Sequence, residues 1–239
     1  LVRTPSNFGS LGERPTHPQL LDWLAVGLVE NKWSLKWLHR TILLSATYAR
    51  SADFDEKNFS VDGDNRLLWR MNRRRLEVEP WRDAMLAVSG NLDLTFGGPS
   101  KKLDDANNRR RTLYGFVSRH KLNELLRLFD FPDPNITSDR RTSTTVPLQQ
   151  LFVLNSGFMN KQAQALVKRL EKDVPDDGSE RIRRAYQLLF ARRPNASEVT
   201  IGEEFLKEVA ASSEKNDKLS PWLQYALALL GSNEFTYID

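Results

Sequence analysis

The chain has 239 residues, of which 40% are hydrophobic and 28% are charged, with a net charge of +4. This composition is typical of globular proteins and argues against extended disorder. The absence of cysteine excludes disulfides, thiolate zinc sites, cysteine catalysis and covalent haem attachment within these residues. No apolar run approaches the roughly 20 residues of a membrane helix, so we expect no membrane span.

The chain begins at Leu1 rather than at Met, and residues 1–15 are polar and punctuated by Gly and Pro. No signal peptide is recognisable in them. We therefore expect an N-terminally truncated part of a larger protein.

Helical periodicity dominates the first ninety residues. Apolar spacing predicts a first helix from Thr16 to about Glu30, and Ser34 is a good N-cap for a second helix that runs to about Arg50. Because the apolar residues of this second helix cover two faces, we expect it to lie centrally in a bundle. A polar loop is predicted over 51–64, followed by helices over 65–75 and 79–89.

The stretch 90–119 interrupts the helical pattern with several glycines and polar residues. Its two extended-looking segments, 92–96 and 113–117, predict at most a small β hairpin. Helical spacing resumes over 122–129 and stops where Pro132 and Pro134 forbid continuation.

The remaining residues predict further helices. Asn155-Ser156-Gly157 should break the stretch 147–171, with Ser156 capping the second piece, and an apolar stripe follows over 182–189. Asn195 and Glu198 resemble a capping box, and Ser220-Pro221 should open a buried last helix. We predict a mostly α fold, an irregular multi-helix bundle forming one domain over 1–239 with two lobes, 1–130 and 131–239.

A cluster of arginines is the most distinctive charge feature. If 65–75 is helical, one face carries four candidate anion contacts: Arg66, Arg70, Arg73 and Arg74. Guanidinium groups match phosphate, sulfate or nucleic acid; the alternative is that the cluster forms ion pairs with Glu77, Glu79 and Asp83. Because no nucleic-acid-binding motif accompanies it, we favour the structural role and do not expect nucleic acid as a partner.

Other chemistry receives little support from the sequence. The three histidines lack zinc-ligand spacing, and no motif of a serine hydrolase, a P-loop or a dinucleotide fold occurs. Asp130, Asp133 and Asn135 could offer oxygen ligands to calcium, but Asx-turns explain such residues beside proline without a metal. We therefore expect no metal and no cofactor in this segment.

The loop over 130–145 and the helix that follows it form our predicted binding site. The loop combines charges, donors and hydroxyls near a helix N-terminus, whose free N–H groups favour an anion. The candidate residues are Asp130, Asp133, Asn135, Arg141, Thr144, Thr145 and Asn155. The alternative is that these residues merely cap the helix and close the loop.

Three blocks of sequence resemble one family. They are RPTHPQLLDWLA with WSLKWLHRTILLSATYARS (14–25 and 33–51), NRLLWRMNRRRLEVEPWRDAMLAVSGNLDLTFGG (65–98) and FDFPDPNITSDRRTSTTVPLQQLFVLNSGFM (129–159). Together they resemble the C-terminal domain of unknown function of large exported planctomycete proteins that also carry a cytochrome-c-like domain. The resemblance implies a periplasmic or cell-surface location, and haem only in that separate domain.

Two functional hypotheses follow. The first is a non-catalytic helical module that packs against sister domains of the same polypeptide, or binds a glycan or surface partner. The second is a hydrolytic or redox enzyme with a role in polysaccharide use, whose site converges from several loops. The family resemblance implies no reaction, so the sequence leaves the question of catalysis open.

Overall fold

A computed structural model describes residues 1–7, 9–212 and 219–238, and 51% of these residues are helical. The helices in the described residues are α1 (Pro18–Glu30), α2 (Leu35–Leu43), α3 (Glu56–Val61), α4 (Val78–Val88), α5 (Glu124–Leu128), α6 (Pro147–Asn155), α7 (Gly157–Asp173), α8 (Gly178–Phe190), α9 (Ala196–Ser212), α10 (Pro221–Leu230) and α11 (Asn233–Thr236). Two short strands, β1 (Arg74–Arg75) and β2 (Tyr237–Ile238), pair in one sheet. The mostly α prediction is confirmed. Each described helix is too short or too polar to cross a membrane.

The chain divides into two compact units, residues 1–74 and 75–238. The first contains α1 to α3, and the second contains α4 to α11. The lobe boundary that we predicted near residue 130 falls inside the second unit, and the single-domain assignment stays a prediction.

In the first unit, α1 and α2 form a helical hairpin. Gly27 lets the helices approach closely, since a Cβ atom there would lie 2.2 Å from the Trp37 ring. Trp23 also contacts Trp37, with ring centroids 6.2 Å apart. No residue of α2 is buried, and α2 ends at Leu43 rather than near Arg50. The expectation that α2 is central in a bundle is therefore wrong.

The helix predicted over 65–75 is absent, and local side-chain bonds explain why. The Asp62 carboxylate accepts the backbone N–H groups of Arg66 at 2.9 Å and Leu67 at 2.7 Å. The Asn65 amide donates to the Arg70 carbonyl at 2.8 Å, and Asn65 and Leu68 both have positive φ. These bonds replace the i to i−4 bonds of a helix, so the four arginines do not share a helical face.

The core of the second unit surrounds α7. Met159, Leu166 and Leu170 on α7 are buried against α4, α8 and α10. The Trp81 ring of α4 belongs to this core and stacks on Phe129, with the ring centroids 4.7 Å apart. Because apolar residues of α7 contact several neighbouring helices, α7 lies at the centre of the helical packing in this unit.

The capping predictions in this unit are confirmed. Ser156 separates α6 from α7, and its hydroxyl accepts the Met159 N–H at 3.2 Å. The Glu198 N–H donates to Asn195 at 2.9 Å, while the Asn195 N–H donates back to Glu198 at 2.7 Å. Ser220 caps α10. These bonds satisfy first-turn N–H groups that a helix leaves without partners.

The β structure differs in position from our expectation. Segment 91–119 contains two isolated bridges, Asp93 with Arg110 and Lys101 with Gly115, instead of a hairpin. The two-stranded sheet involves β1 and β2, which are distant in sequence. Pairing between distant segments leaves no short-range pattern, so the sequence did not indicate it.

Candidate functional site

The predicted binding loop is held together by its own side chains. The Asp130 carboxylate accepts both the N–H of Thr144 at 2.8 Å and its hydroxyl at 2.7 Å. The Asp133 carboxylate accepts the Asn135 N–H at 2.9 Å, and the Asn135 amide donates to the Arg119 carbonyl at 3.0 Å. The structure thus brings Asp130 together with Thr144, and Asp133 with Asn135.

Arg141 ties the same loop to the start of α4. Its guanidinium donates to both oxygens of Glu79, at 2.7 and 2.9 Å, and lies 3.0 Å from Glu77. It also lies over the Phe131 ring, 5.0 Å from the centroid. The hydrogen bonds to Glu79 raise the pKa of Arg141 above its ordinary value. These bonds use the guanidinium edge that a bound carboxylate or phosphate would need.

The remaining candidates, Thr145 and Asn155, take no part in these bonds. Thr145 and Asn155 are both exposed, and neither side chain forms a hydrogen bond with a described residue. The start of α6 is instead organised by Gln149, which accepts from Arg75 at 2.9 Å and donates to the Leu128 carbonyl at 2.9 Å. These contacts favour the capping and closing role, and a binding role for this loop stays a prediction.

The arginine cluster lies on an irregular segment. Arg70 stacks over Trp69, with its guanidinium 4.7 Å from the ring centroid, and Arg66 is exposed. Arg70 and Arg73 line a small cavity of about 180 Å³ in the first unit. The structural role that we favoured, and the pairing of Arg73 and Arg74 with nearby acids, stay predictions.

The second unit contains a large cleft of about 1150 Å³. Residues 102–109 form one wall, 116–125 form a second, and 156–168 on α7 form a third. Its lining mixes amides, lysines and phenylalanines. We define this cavity as the α7 cleft; a cleft of this size that combines apolar side chains with polar groups can bind a small molecule.

Two buried arginines organise the non-helical segment 95–110, which includes the 102–109 wall of the α7 cleft. Arg82 is 1% exposed and donates to the carbonyls of Asn108 at 2.6 Å and Arg110 at 3.0 Å. Burial lowers the pKa of Arg82. Arg110 donates to the carbonyls of Thr95 and Gly97. The loop therefore folds around guanidinium groups, which satisfy carbonyls that would otherwise be buried without donors.

A second feature is the exposed apolar surface of the first unit. Trp23 is 57% exposed, Trp33 is 70% exposed and Leu44 is 78% exposed. We define the α1–α2 apolar surface by these and neighbouring exposed residues: Trp23, Val26, Val29, Trp33, Leu35 and Leu44. Large exposed apolar patches on soluble proteins mark interaction sites.

Comparison with known families gives one result. The family described as PSD1, protein of unknown function (DUF1553), matches residues 1–206. The chain belongs to this family. The matched segment of the chain includes the α1–α2 apolar surface and all residues that line the α7 cleft, and it ends within α9. Comparisons with curated proteins and with solved structures gave no match.

Our sequence reasoning missed both the α7 cleft and the α1–α2 apolar surface. The cleft has a weak local signal, since Gly157, Lys161, Ala165 and Lys168 recur at helical spacing on α7. The apolar width of α2 predicts burial, but α2 buries no residue. Only the positions of the neighbouring elements distinguish a buried apolar helix from an exposed one.

Proposed function

We propose that this chain is a non-catalytic helical module of a larger exported polypeptide, which packs through the α1–α2 apolar surface against a neighbouring domain of that polypeptide. The observation that carries the proposal is the exposure of two tryptophans and several aliphatic residues on one helical hairpin. A planctomycete source, a periplasmic or cell-surface location and haem confined to a cytochrome-c-like domain belong to the same proposal. The sequence blocks described above support it.

The size of the α1–α2 apolar surface favours a permanent partner. With about 150–250 Å² of area per aromatic side chain, Trp23 and Trp33 alone offer roughly 250 Å², and both are more than half exposed. The four aliphatic residues bring the surface toward the roughly 800 Å² that each partner contributes to a stable interface. Permanent interfaces are also the more apolar ones.

Covalent linkage explains why such a surface can be tolerated. A patch of this kind promotes aggregation whenever it is free in solution. A neighbouring domain on the same polypeptide stays at high effective concentration and covers the patch continuously. Charged residues of α1 and α2, including Asp22, Glu30, Lys36 and Arg40, would provide the polar rim of that interface.

Hydrogen exchange tests this proposal. Amides of residues 20–44 should exchange at least tenfold more slowly in the full-length polypeptide than in this chain alone, whereas amides of α7 should not change. Equal exchange over 20–44 in the two proteins would contradict the proposal. Light scattering that shows a dimer of the chain alone, with 20–44 protected in it, would also overturn it in favour of a second copy.

Paired substitutions identify the surface responsible. Val26→Ser combined with Leu44→Ser should abolish the extra protection of residues 20–44 in the full-length polypeptide. Val61→Ser is the matched control, since Val61 is an exposed aliphatic residue of the same unit outside the α1–α2 apolar surface. A glycan or surface partner, and an enzyme with a site built from several loops, remain the alternatives that the sequence predicted.

A further inference from the structure

The N-terminus of α7 lines the α7 cleft. Gly157 lines the cleft, and because it has no side chain, its backbone forms that part of the wall. The first N–H groups of a helix have no partner within the helix. Among those of α7, the Met159 N–H donates to the Ser156 hydroxyl. The first turn of α7 contains no acidic residue. The space beside Gly157 is open, since a Cβ there would meet no atom within 4 Å.

A buried amide adds an independent donor on the same helix. Gln162 is 6% exposed and lines the α7 cleft. Its Oε1 accepts from the Ser89 hydroxyl at 2.7 Å and from the Asn91 amide at 2.9 Å, which defines the orientation of the side chain. No described residue accepts a hydrogen bond from its Nε2. Nε2 is not shielded from solvent, so it is an accessible donor in the wall of the cleft, to which an acceptor on a ligand can bind.

Charge around the cleft favours an anion. Basic residues of the lining outnumber acidic ones by five to three: Lys102, Arg109, Lys121, Lys161 and Lys168 against Asp104, Asp105 and Glu124. Lys161 lies one turn along α7 from Gly157. The partial positive charge of a helix N-terminus adds to this field and is strongest within the first turn.

The cleft is larger and more apolar than a bare ion requires. Phe116, Phe152 and Phe158 line it together with Leu122 and Leu125. Its volume of about 1150 Å³ can enclose an organic molecule. Apolar walls beside a cluster of donors match a ligand with an apolar body and one acidic head group.

We infer that the α7 cleft binds an amphiphilic organic oxyanion. The head group, a carboxylate, sulfate ester or phosphate ester, accepts from the first-turn N–H groups of α7 and from Nε2 of Gln162. The apolar body packs against the phenylalanine side chains of the cleft. This site is separate from the α1–α2 apolar surface, so it stands or fails independently of the proposed function.

Nuclear magnetic resonance titration of the ¹⁵N-labelled chain tests the inference with defined probes. Phenylacetate, phenyl sulfate and phenyl phosphate carry the three head groups, and phenylacetamide is the neutral analogue of the first. At least one anion should shift the Gly157, Phe158 and Gln162 amide signals and bind at least tenfold more tightly than phenylacetamide. The tightest anion identifies the head group.

Two outcomes of this titration overturn the inference. Binding of phenylacetamide as tight as that of every anion would show that the donors do not recognise charge. Inorganic sulfate that shifts the same amides with equal affinity would show a simple ion site in which the apolar walls have no role.

A pair of substitutions at Gly157 isolates its backbone N–H. Gly157→Pro removes that group at the first helical position, where proline is tolerated, and Ser156 has the extended conformation that a residue before proline requires. Gly157→Ala keeps the N–H and adds a methyl group in open space. The proline variant should bind the best anion at least fivefold more weakly than the alanine variant. Equal affinities in two folded variants would contradict the inference.

Gln162→Glu provides the second variant. Its carboxylate can still accept from Ser89 and Asn91, but it replaces the Nε2 donor with a negative oxygen. We expect anion binding to fall at least tenfold while the circular dichroism spectrum is unchanged. Retained binding in this folded variant would exclude Gln162 from the site and overturn the inference.

Discussion

Helices α2 and α10 are similar in length and both carry apolar residues over a wide arc, although α10 is the more apolar of the two, and their environments are opposite. α10 buries Leu223, Tyr225, Ala226, Leu229 and Leu230, whereas α2 buries no residue. α10 packs against α7 and α9, while α2 packs against α1. The comparison teaches that a wide apolar arc indicates the need for partners but not where those partners lie. In α10 they lie within the unit, and for α2 we place them outside it.

The largest effect that separates the two helices is expected from truncating one leucine at each: Leu230 in α10, and Leu44, the C-cap residue of α2. Leu230 is 0% exposed, so Leu230→Ala should lower the free energy of unfolding by about 2–5 kcal/mol, through lost burial and a residual cavity. Leu44→Ala should change it by less than about 0.5 kcal/mol, because Leu44 is exposed. Urea denaturation measures both. Similar losses for the two variants would show that α2 is buried in solution.

The second prediction contrasts the helical core with the loop around Arg82. Arg82→Met should lower the free energy of unfolding by about 2–3 kcal/mol, because the carbonyls of Asn108 and Arg110 lose their donors. Amides over 93–116 should exchange faster. Arg109→Met, at an exposed neighbouring position, is the control and should have little effect. An unchanged exchange rate over 93–116 in Arg82→Met would refute the organising role of Arg82.

A smaller effect is expected in the predicted binding loop. Arg141→Met should lower the free energy of unfolding by about 1–2 kcal/mol, since Glu79 loses two charge-assisted hydrogen bonds. Each kcal/mol of that loss should lower Tm by roughly 2–4 °C. Arg140→Met is the control, because Arg140 is exposed. Equal Tm values with reduced ligand binding in Arg141→Met would instead support a binding role for the loop.

The smallest effect concerns acid stability. Hydrogen bonds from Arg192, at 2.6 and 2.8 Å, lower the pKa of Glu198 below its ordinary value of 4.5. A lowered folded-state pKa stabilises the protein above the unfolded pKa, and this contribution is lost as the pH falls through the folded value. Glu198→Gln should therefore be less stable than the parent at pH 7, and the difference should shrink below pH 4.5.

Glu204→Gln serves as the control for this pH dependence. Glu204 lies on the same helix as Glu198 and is exposed. Thermal unfolding of the three proteins at pH 7, 4.5 and 3 gives the comparison. A stability difference for Glu198→Gln that stays constant over this range would show that the ionised carboxylate is not responsible.

Local rules predicted much of the second unit. The breaks and caps at Ser156, Asn195 and Ser220 were predicted because each depends on residues within four positions. The prediction of a helix over 65–75 was wrong, although it also depended only on nearby residues. There the side chains of Asp62 and Asn65 bind backbone groups that a helix would use, and helical periodicity does not register that competition.

The candidate site was harder to predict because its parts converge from distant segments. The predicted loop contains suitable residues, but Asp130 and Arg141 bind partners within the unit. In the α7 cleft, Gln162 is oriented by Ser89 and Asn91, more than 70 positions away in sequence. An amide in a helical sequence carries no sign of whether its donor will be used by the protein or left for a ligand.

The sequence alone determined the mostly α class, the positions of most helices and the capping residues, because helix formation depends on spacing and on side chains within about four residues. Only the tertiary structure decided that α10 is buried and α2 is exposed, and that the N-terminus of α7 and Gln162 line one cleft. Burial and convergence depend on which distant segments pack together. That packing results from many weak contacts, which no short sequence pattern records.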